Sequence, residues 1–114
     1  MRYWLYSKPT DMRKSFYTLS GLVNDVMGLN PYNGDVYIFI NKSRNRMKLL
    51  HWEPGGLVIY SKMLEKGTFA PPRNQNEDVL SSSIEWRELV LIVEGIISNP
   101  QSRRERLDML KNIW

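Results

Sequence analysis

Four cations fall within seven residues: Lys42, Arg44, Arg46 and Lys48. They surround the polar stretch Asn41-Lys42-Ser43-Arg44-Asn45, which separates two apolar, β-branched or alternating runs. Such a pattern predicts a basic β-hairpin, and a two-stranded ribbon is narrow enough to enter the major groove of duplex DNA. Arginine engages phosphate or guanine through paired hydrogen bonds, and Asn and Ser donate to phosphate oxygens. Arg13 and Lys14 offer a second basic patch at an expected helix start, where they oppose the helix dipole. The expected nucleic-acid contacts are therefore Arg13, Lys14, Lys42, Arg44, Arg46 and Lys48. The competing reading is a solvated hairpin whose charges guard a sheet edge. Tyr37, Phe39 and Trp52 would stack on bases if exposed. Their place in an apolar sheet favours core packing.

Residues for catalysis are sparse. His51 is the single histidine, and it falls inside an expected strand with no nucleophile placed beside it by the sequence. No glycine-rich phosphate loop is present; Pro54-Gly55-Gly56 reads as a turn. Two-metal nuclease chemistry requires several converging carboxylates. Asp11, Asp35 and Glu53 each have a local explanation, at a helix start, a strand start and a strand end. The chain contains no cysteine, which excludes disulfides and zinc–thiolate sites. The expectation is a protein that is not an enzyme, with no metal and no cofactor.

Charge is unevenly spread over the 114 residues, whose formal net charge is +4. Residues 1–34 carry +2, residues 35–66 carry +3 and residues 67–114 carry −1, so attraction to a polyanion belongs to the first two-thirds. A length of 114 residues suits one domain, 1–114, with a single core. The apolar stretches are too short for a membrane span, and Lys8 and Pro9 interrupt the opening segment too early for a signal peptide. A soluble, cytoplasmic protein is expected, with no membrane partner.

The elements that must position these residues follow from periodicity. An apolar strand is expected at residues 2–6. Thr10 then N-caps a helix over residues 11–27, with Met12, Phe16, Leu19, Val23 and Val26 as its apolar stripe and Gly28 at its end. Residues 36–40, 46–53 and 57–63 read as three strands with short links, an antiparallel meander. Arg46, Lys48, Leu50 and Trp52 fall on one face of the second strand, and Met47, Leu49, His51 and Glu53 on the other. Val79 and Leu80 suggest a further short strand. Ser82 with Glu85 reads as a capping box opening a helix over residues 85–97, which buries Trp86, Leu89, Val90, Val93 and Ile97. Leu91 and Ile92 lie off that stripe. They are either sandwiched in the core, the favoured reading, or presented to a partner as a docking face. Ser102 with Glu105 opens a short C-terminal helix. The fold class is α+β: an antiparallel β-meander packed against two main helices plus that terminal helix.

Taken together, the motifs resemble a known family. Pro9-Thr10-Asp11-Met12-Arg13-Lys14-Ser15-Phe16, Asn30-Pro31-Tyr32-Asn33-Gly34, residues 41–50, Trp52, Gly56-Leu57, Tyr60, Gly67-Thr68-Phe69 and Glu94-Gly95-Ile96 are similar, in order, to the TnpB-type accessory protein of the insertion sequence 66 family. The resemblance covers residues 3–97 and leaves the tail helix of residues 98–114 outside it. Two departures stand out: Ser15 occupies a position where the family commonly has glycine, and Ala70-Pro71-Pro72 replaces an aromatic-containing link. The resemblance implies a small protein encoded beside a separate transposase and needed with it for transposition. It supplies no catalytic residues. The expected function is a non-catalytic accessory in transposition that contacts DNA through the basic hairpin. The alternative is a module that docks on the transposase through Leu91 and Ile92 without binding DNA itself.

Overall fold

The computed structural model of the protein describes residues 1–71 and 80–95. Five strands form one sheet: β1 (Tyr3–Tyr6), β2 (Val36–Ile40), β3 (Arg46–Glu53), β4 (Gly56–Met63) and β5 (Ser81–Ile84), in the order β4-β3-β2-β1-β5. Between β1 and β2 the chain forms α1 (Phe16–Gly21) and a π-helical turn (Leu22–Val26); α2 (Trp86–Glu94) follows β5. The fold is α+β, as the periodicity requires.

The meander is present. Strands β2, β3 and β4 pair antiparallel, with Ile40 opposite Met47 and Glu53 opposite Gly56. The Pro54-Gly55 link is a two-residue turn with Gly55 at φ +96, a conformation that disfavours a side chain. The sheet is nevertheless mixed rather than wholly antiparallel, because β1 lies parallel to β2 with Tyr3 opposite Val36. The connection between them carries α1, the crossover that parallel neighbours require.

Both faces of the sheet are covered. On one, Leu5, Val36, Ile38, Ile40 and Met47 pack with Phe69, Ile84 and the α2 residues Leu89 and Ile92. On the other, Tyr6, Tyr37, Phe39 and Leu50 pack with Met12, Leu19 and Val23. Strand β2 is buried at all five positions because it is central and has a helix on each side. A fully buried side chain of this size contributes roughly 1.5–3 kcal/mol, so β2 anchors both cores.

The helices depart from their sequence expectations. The first begins at Phe16, not at Asp11. Thr10 is buried; its N–H donates to the Ile40 carbonyl (2.8 Å) and its hydroxyl to the Lys8 carbonyl (3.4 Å), so it is tied to the end of β2 rather than to a helix start. The N-cap is Ser15, at φ −132, and Thr18 Oγ1 accepts its N–H at 2.8 Å. That extended backbone is open to any residue, so serine replaces glycine there without strain. After Gly21 the winding loosens, with the Met27 N–H reaching the Leu22 carbonyl five residues back. The wider turn rotates later positions out of phase, so Val26 is exposed rather than part of the apolar stripe. Gly28 ends the segment at φ +69, as expected.

Residues 81–84 form β5, antiparallel to β1, so Ser82 is a strand residue and not a cap. The cap of α2 is Glu85, whose N–H donates to Glu88 Oε1 (3.3 Å). Gly95 closes the helix at φ +78, where an added Cβ would meet Leu64 Cδ1 at 2.8 Å. Lys62 Nζ donates to the Val93 carbonyl (2.8 Å), a cation at the negative end of the helix. The expected strand residue Val79, the helix end at Ile97 and the terminal helix lie outside the described residues. Among those described, no helix is long and apolar enough to cross a membrane.

Candidate nucleic-acid interface

The β2–β3 turn is built by its own asparagines. Asn41 Oδ1 accepts the N–H groups of Asn45 and Arg46, both at 3.0 Å, and the Asn41 amide donates to Asn45 Oδ1 (2.8 Å). These side chains hold the turn. Arg44 takes φ +57, a left-handed conformation with a modest cost for a residue bearing a Cβ. Its carbonyl accepts the Phe69 N–H (2.6 Å), and the Asn45 carbonyl accepts the Leu64 N–H (2.8 Å). The chain beyond β4 thus braces the turn, while the side chains of Lys42, Ser43, Arg44 and Arg46 stay exposed.

Lys48 is half-buried and serves the structure, since its Nζ donates to the Lys14 carbonyl (2.6 Å). This bond joins two basic segments that are 34 residues apart in sequence. By strand alternation Arg46 and Lys48 share the face of Leu50, the face covered by α1. Arg13 and Lys14 lie in the loop just before α1 rather than within its first turn. The Arg13 guanidinium meets Asp11 Oδ2 at 2.6 Å, and the Arg13 N–H donates to Asp11 Oδ1 (2.9 Å). The guanidinium, followed by that N–H, holds the Asp11 carboxyl down to about 2; Asp11 in return raises the pKa of Arg13. The Arg13 side chain remains 92% exposed, so the pair is screened, although its Nε and Nη2 both donate to Asp11.

Asp35 also has a structural role. Its carboxylate accepts the Arg2 N–H (3.0 Å), the Trp4 indole N–H (3.0 Å) and the Asn33 amide (3.1 Å), tying the start of β1 to the start of β2. Burial alone would push its pKa up; these hydrogen bonds and the N-terminal charge outweigh it, and the carboxyl titrates below its ordinary range. His51 Nδ1 lies 3.4 Å from the Asp35 carbonyl, and the ring is half-buried in β3. Burial raises the pKa of the Tyr37 phenol, partly offset by its hydrogen bond to Asn33, with the nearby Asp35 charge adding to the rise. That hydroxyl donates to the Asn30 carbonyl (2.7 Å). Among the described residues no group of three or more His, Asp or Glu is arranged to hold a metal ion.

Of the two readings of Leu91 and Ile92, core packing is the one the burial of Ile92 supports. Ile92 is 1% exposed and belongs to the α2-side core, and Leu91 is half-buried. Trp86, expected inside, is 43% exposed and stacks at a tilt against Tyr3, with ring centroids 5.7 Å apart. Residues 89–93 are apolar all round, so nothing polar in the sequence marks which side faces inward.

The three aromatic residues follow the favoured reading of core packing. Tyr37 and Phe39 are fully buried, and Trp52 is half-buried with its ring edge-on to Tyr32 (5.4 Å, 86°). The exposed rings on the basic face are instead Phe16, Tyr17 and Tyr32. Tyr17 lies off the apolar stripe of the first helix, a signal legible in the sequence. Phe16 fits that stripe and is exposed because α1 begins at Phe16 itself.

The profile of the family described as "IS66 Orf2 like protein" matches residues 1–103. Two curated relatives come from Sinorhizobium fredii (strain NBRC 101917 / NGR234), and both carry the description of uncharacterized proteins. One, y4jC, is 31% identical over 72 residues, which are 63% of this chain and 62% of the relative's length. The other, y4hO, is 29% identical over 96 residues, covering 76% of this chain and 84% of the relative. No solved structure matches. The extent of the profile match, reaching from the first strand past the end of α2, establishes that the chain belongs to the IS66 Orf2-like family.

Proposed function

We propose that this protein is a non-catalytic accessory in the transposition of an insertion sequence and contacts DNA through its basic face. Family membership supports the transposition role. The observation that supports the contact surface is the Lys48–Lys14 bond, which sets the Arg13–Lys14 loop beside the braced turn bearing Lys42, Arg44 and Arg46. A braced backbone presenting exposed cations suits phosphate contact, which positions a protein on DNA without reading its sequence. The transposase of the same element is the proposed protein partner. Ile92, 1% exposed within the core, is a poor candidate for the contact with it.

The test is binding to duplex carrying the element's terminal repeats and to random duplex of equal length, across a salt series. Neutralisation of about four phosphates gives a log–log salt slope of about −3.6. An Arg44→Ala/Arg46→Ala variant should fold normally, since both side chains are exposed, and bind more weakly with a shallower slope. No binding at low salt, or binding unchanged in that variant, overturns the reading.

A further inference from the structure

Strand β4 is one edge of the sheet, and among the described residues no strand pairs with its outer side. One hydrogen bond fixes the direction of its backbone groups. The Leu64 N–H donates to the Asn45 carbonyl (2.8 Å), so Leu64 turns its polar groups to β3, and by alternation so do Lys62, Tyr60 and Val58. The N–H and C=O groups of Leu57, Ile59, Ser61 and Met63 therefore point away from the sheet. The phase of β3 agrees, since the Asn41 N–H donates to the Arg46 carbonyl (3.1 Å), which leaves the odd-numbered residues of β3 turned to β4.

A row of open backbone groups is a template for another strand, and sheets ordinarily blunt it with a short strand, a proline, a bulge or charged side chains. Strand β5, the other edge, is four residues long. Strand β4 runs for eight residues in unbroken register with β3 and contains no proline. Its one charged residue, Lys62, sends its Nζ to the Val93 carbonyl (2.8 Å). Apolar side chains stand in solvent along it, with Val58 42% exposed, Tyr60 48% and Met63 67%.

We infer that β4 is a self-association edge: it pairs antiparallel with β4 of a second copy about a two-fold axis at Tyr60, joining two five-stranded sheets into one. Symmetry selects both the occupant and the register. With the axis at Tyr60, Leu57 lies opposite Met63 of the second copy and Ile59 opposite its Ser61, so every outward N–H and C=O of the strand finds a partner. Moving the axis along the strand leaves one end of the row unpaired. The side chains fit the same register. Tyr60 meets Tyr60 of the second copy at a close, non-hydrogen-bonded position, where cross-strand aromatic pairs are favourable. Val58 faces the aliphatic stem of Lys62, and no like charges are opposed along the strand. Met63, the neighbour of Arg46, is set against Leu57, so the two basic turns lie at opposite ends of the joined strands. A foreign strand would also satisfy the edge; the match of Tyr60 to itself and of Leu57 to Met63 favours a second copy. The inference does not depend on the nucleic-acid reading above.

The test is sedimentation velocity of the full chain in a dilution series reaching about 0.2 mM, since a single strand edge makes a small interface of the transient class. Amide exchange is read residue by residue at both ends of the series. The 13.5 kDa chain should sediment as a dimer at the top and as a monomer at the bottom. In the dimer the amides of Leu57, Ile59, Ser61 and Met63 should slow roughly ten-fold, whereas those of Val58, Tyr60 and Lys62, already bonded to β3, should change much less. Ser61→Pro removes an outward donor without touching the pairing with β3, and should leave the chain folded and monomeric. Tyr60→Glu sets two carboxylates face to face at the axis and should do the same. A parent chain that stays monomeric throughout overturns the inference. So does a dimer whose outward β4 amides exchange as in the monomer, or one that survives in both folded variants. The exchange pattern of the parent decides the matter even where a variant fails to fold.

Discussion

The two faces of the sheet are covered in contrasting ways. On one, α2 is a regular helix of nine residues, capped by Glu85, closed by Gly95 and anchored at its C-terminal end by Lys62. On the other, α1 is six residues long, passes into a π-helical turn, and is preceded by a loop held by Lys48. Helix α2 buries Leu89 and Ile92 and leaves Trp86 partly exposed, whereas the α1 face leaves Phe16, Tyr17, Arg13 and Arg46 in solvent. Regular helix geometry repeats one buried stripe; late initiation and a wide turn break that repeat and release side chains for contact. The proposed function assigns the first face to holding the fold together and the second to meeting a partner.

Substitutions can break that contrast. The largest effect is expected from Ile92→Asp, which places a carboxylate without a partner in the α2-side core. It should cost about 4 kcal/mol or more and abolish cooperative urea unfolding. Tyr17→Asp, the corresponding change on the exposed α1 face, should shift the urea midpoint hardly at all. Equal losses at the two sites would erase the proposed division of labour.

Gly95→Ala comes next. It combines a left-handed backbone with a clash against Leu64, and should destabilise by roughly 1–3 kcal/mol in thermal or urea unfolding. Nucleic-acid binding by the folded variant should be unchanged. On the opposite face, Lys48→Met should cost about 1 kcal/mol of stability through the lost bond to the Lys14 carbonyl. It should also free the loop of residues 11–15, read as faster amide exchange at Lys14 and Ser15.

The smallest effect sharpens the comparison through pH. The Asp35 carboxyl titrates below its unfolded value of about 3.9, so its contribution is complete above that value. It is lost as pH falls through the lower folded pKa, because protonation then removes the acceptor for Arg2 and Trp4. Acid unfolding of the parent should therefore include a component below about pH 4 that Asp35→Asn lacks. At neutral pH the variant should be the less stable of the two.

Much of the fold is written locally. The β2–β3–β4 meander follows from β-branched and alternating runs with Asn41–Asn45 and Pro54-Gly55 between them, because turn chemistry and strand period act over a few residues. The cations of the hairpin were legible for the same reason: a polar turn between apolar strands must expose its charges. The parallel placement of β1 was not legible, since nothing in Tyr3–Tyr6 records which way its neighbour runs.

What the amino-acid sequence determined by itself, then, is the meander, the basic hairpin, the helix end at Gly28 and family membership. The tertiary structure alone decided the phase of α2, the late start of α1 and the identity of the exposed rings. Each of these depends on groups far apart in the chain. The Thr10 N–H is taken by Ile40, Lys48 fastens Lys14, and the apolar residues 89–93 turn inward only along the side that meets Leu5, Ile38 and Met47. A periodic pattern states that a face is buried. Which face is buried is settled by the surface it packs against, and that surface is assembled from the rest of the chain.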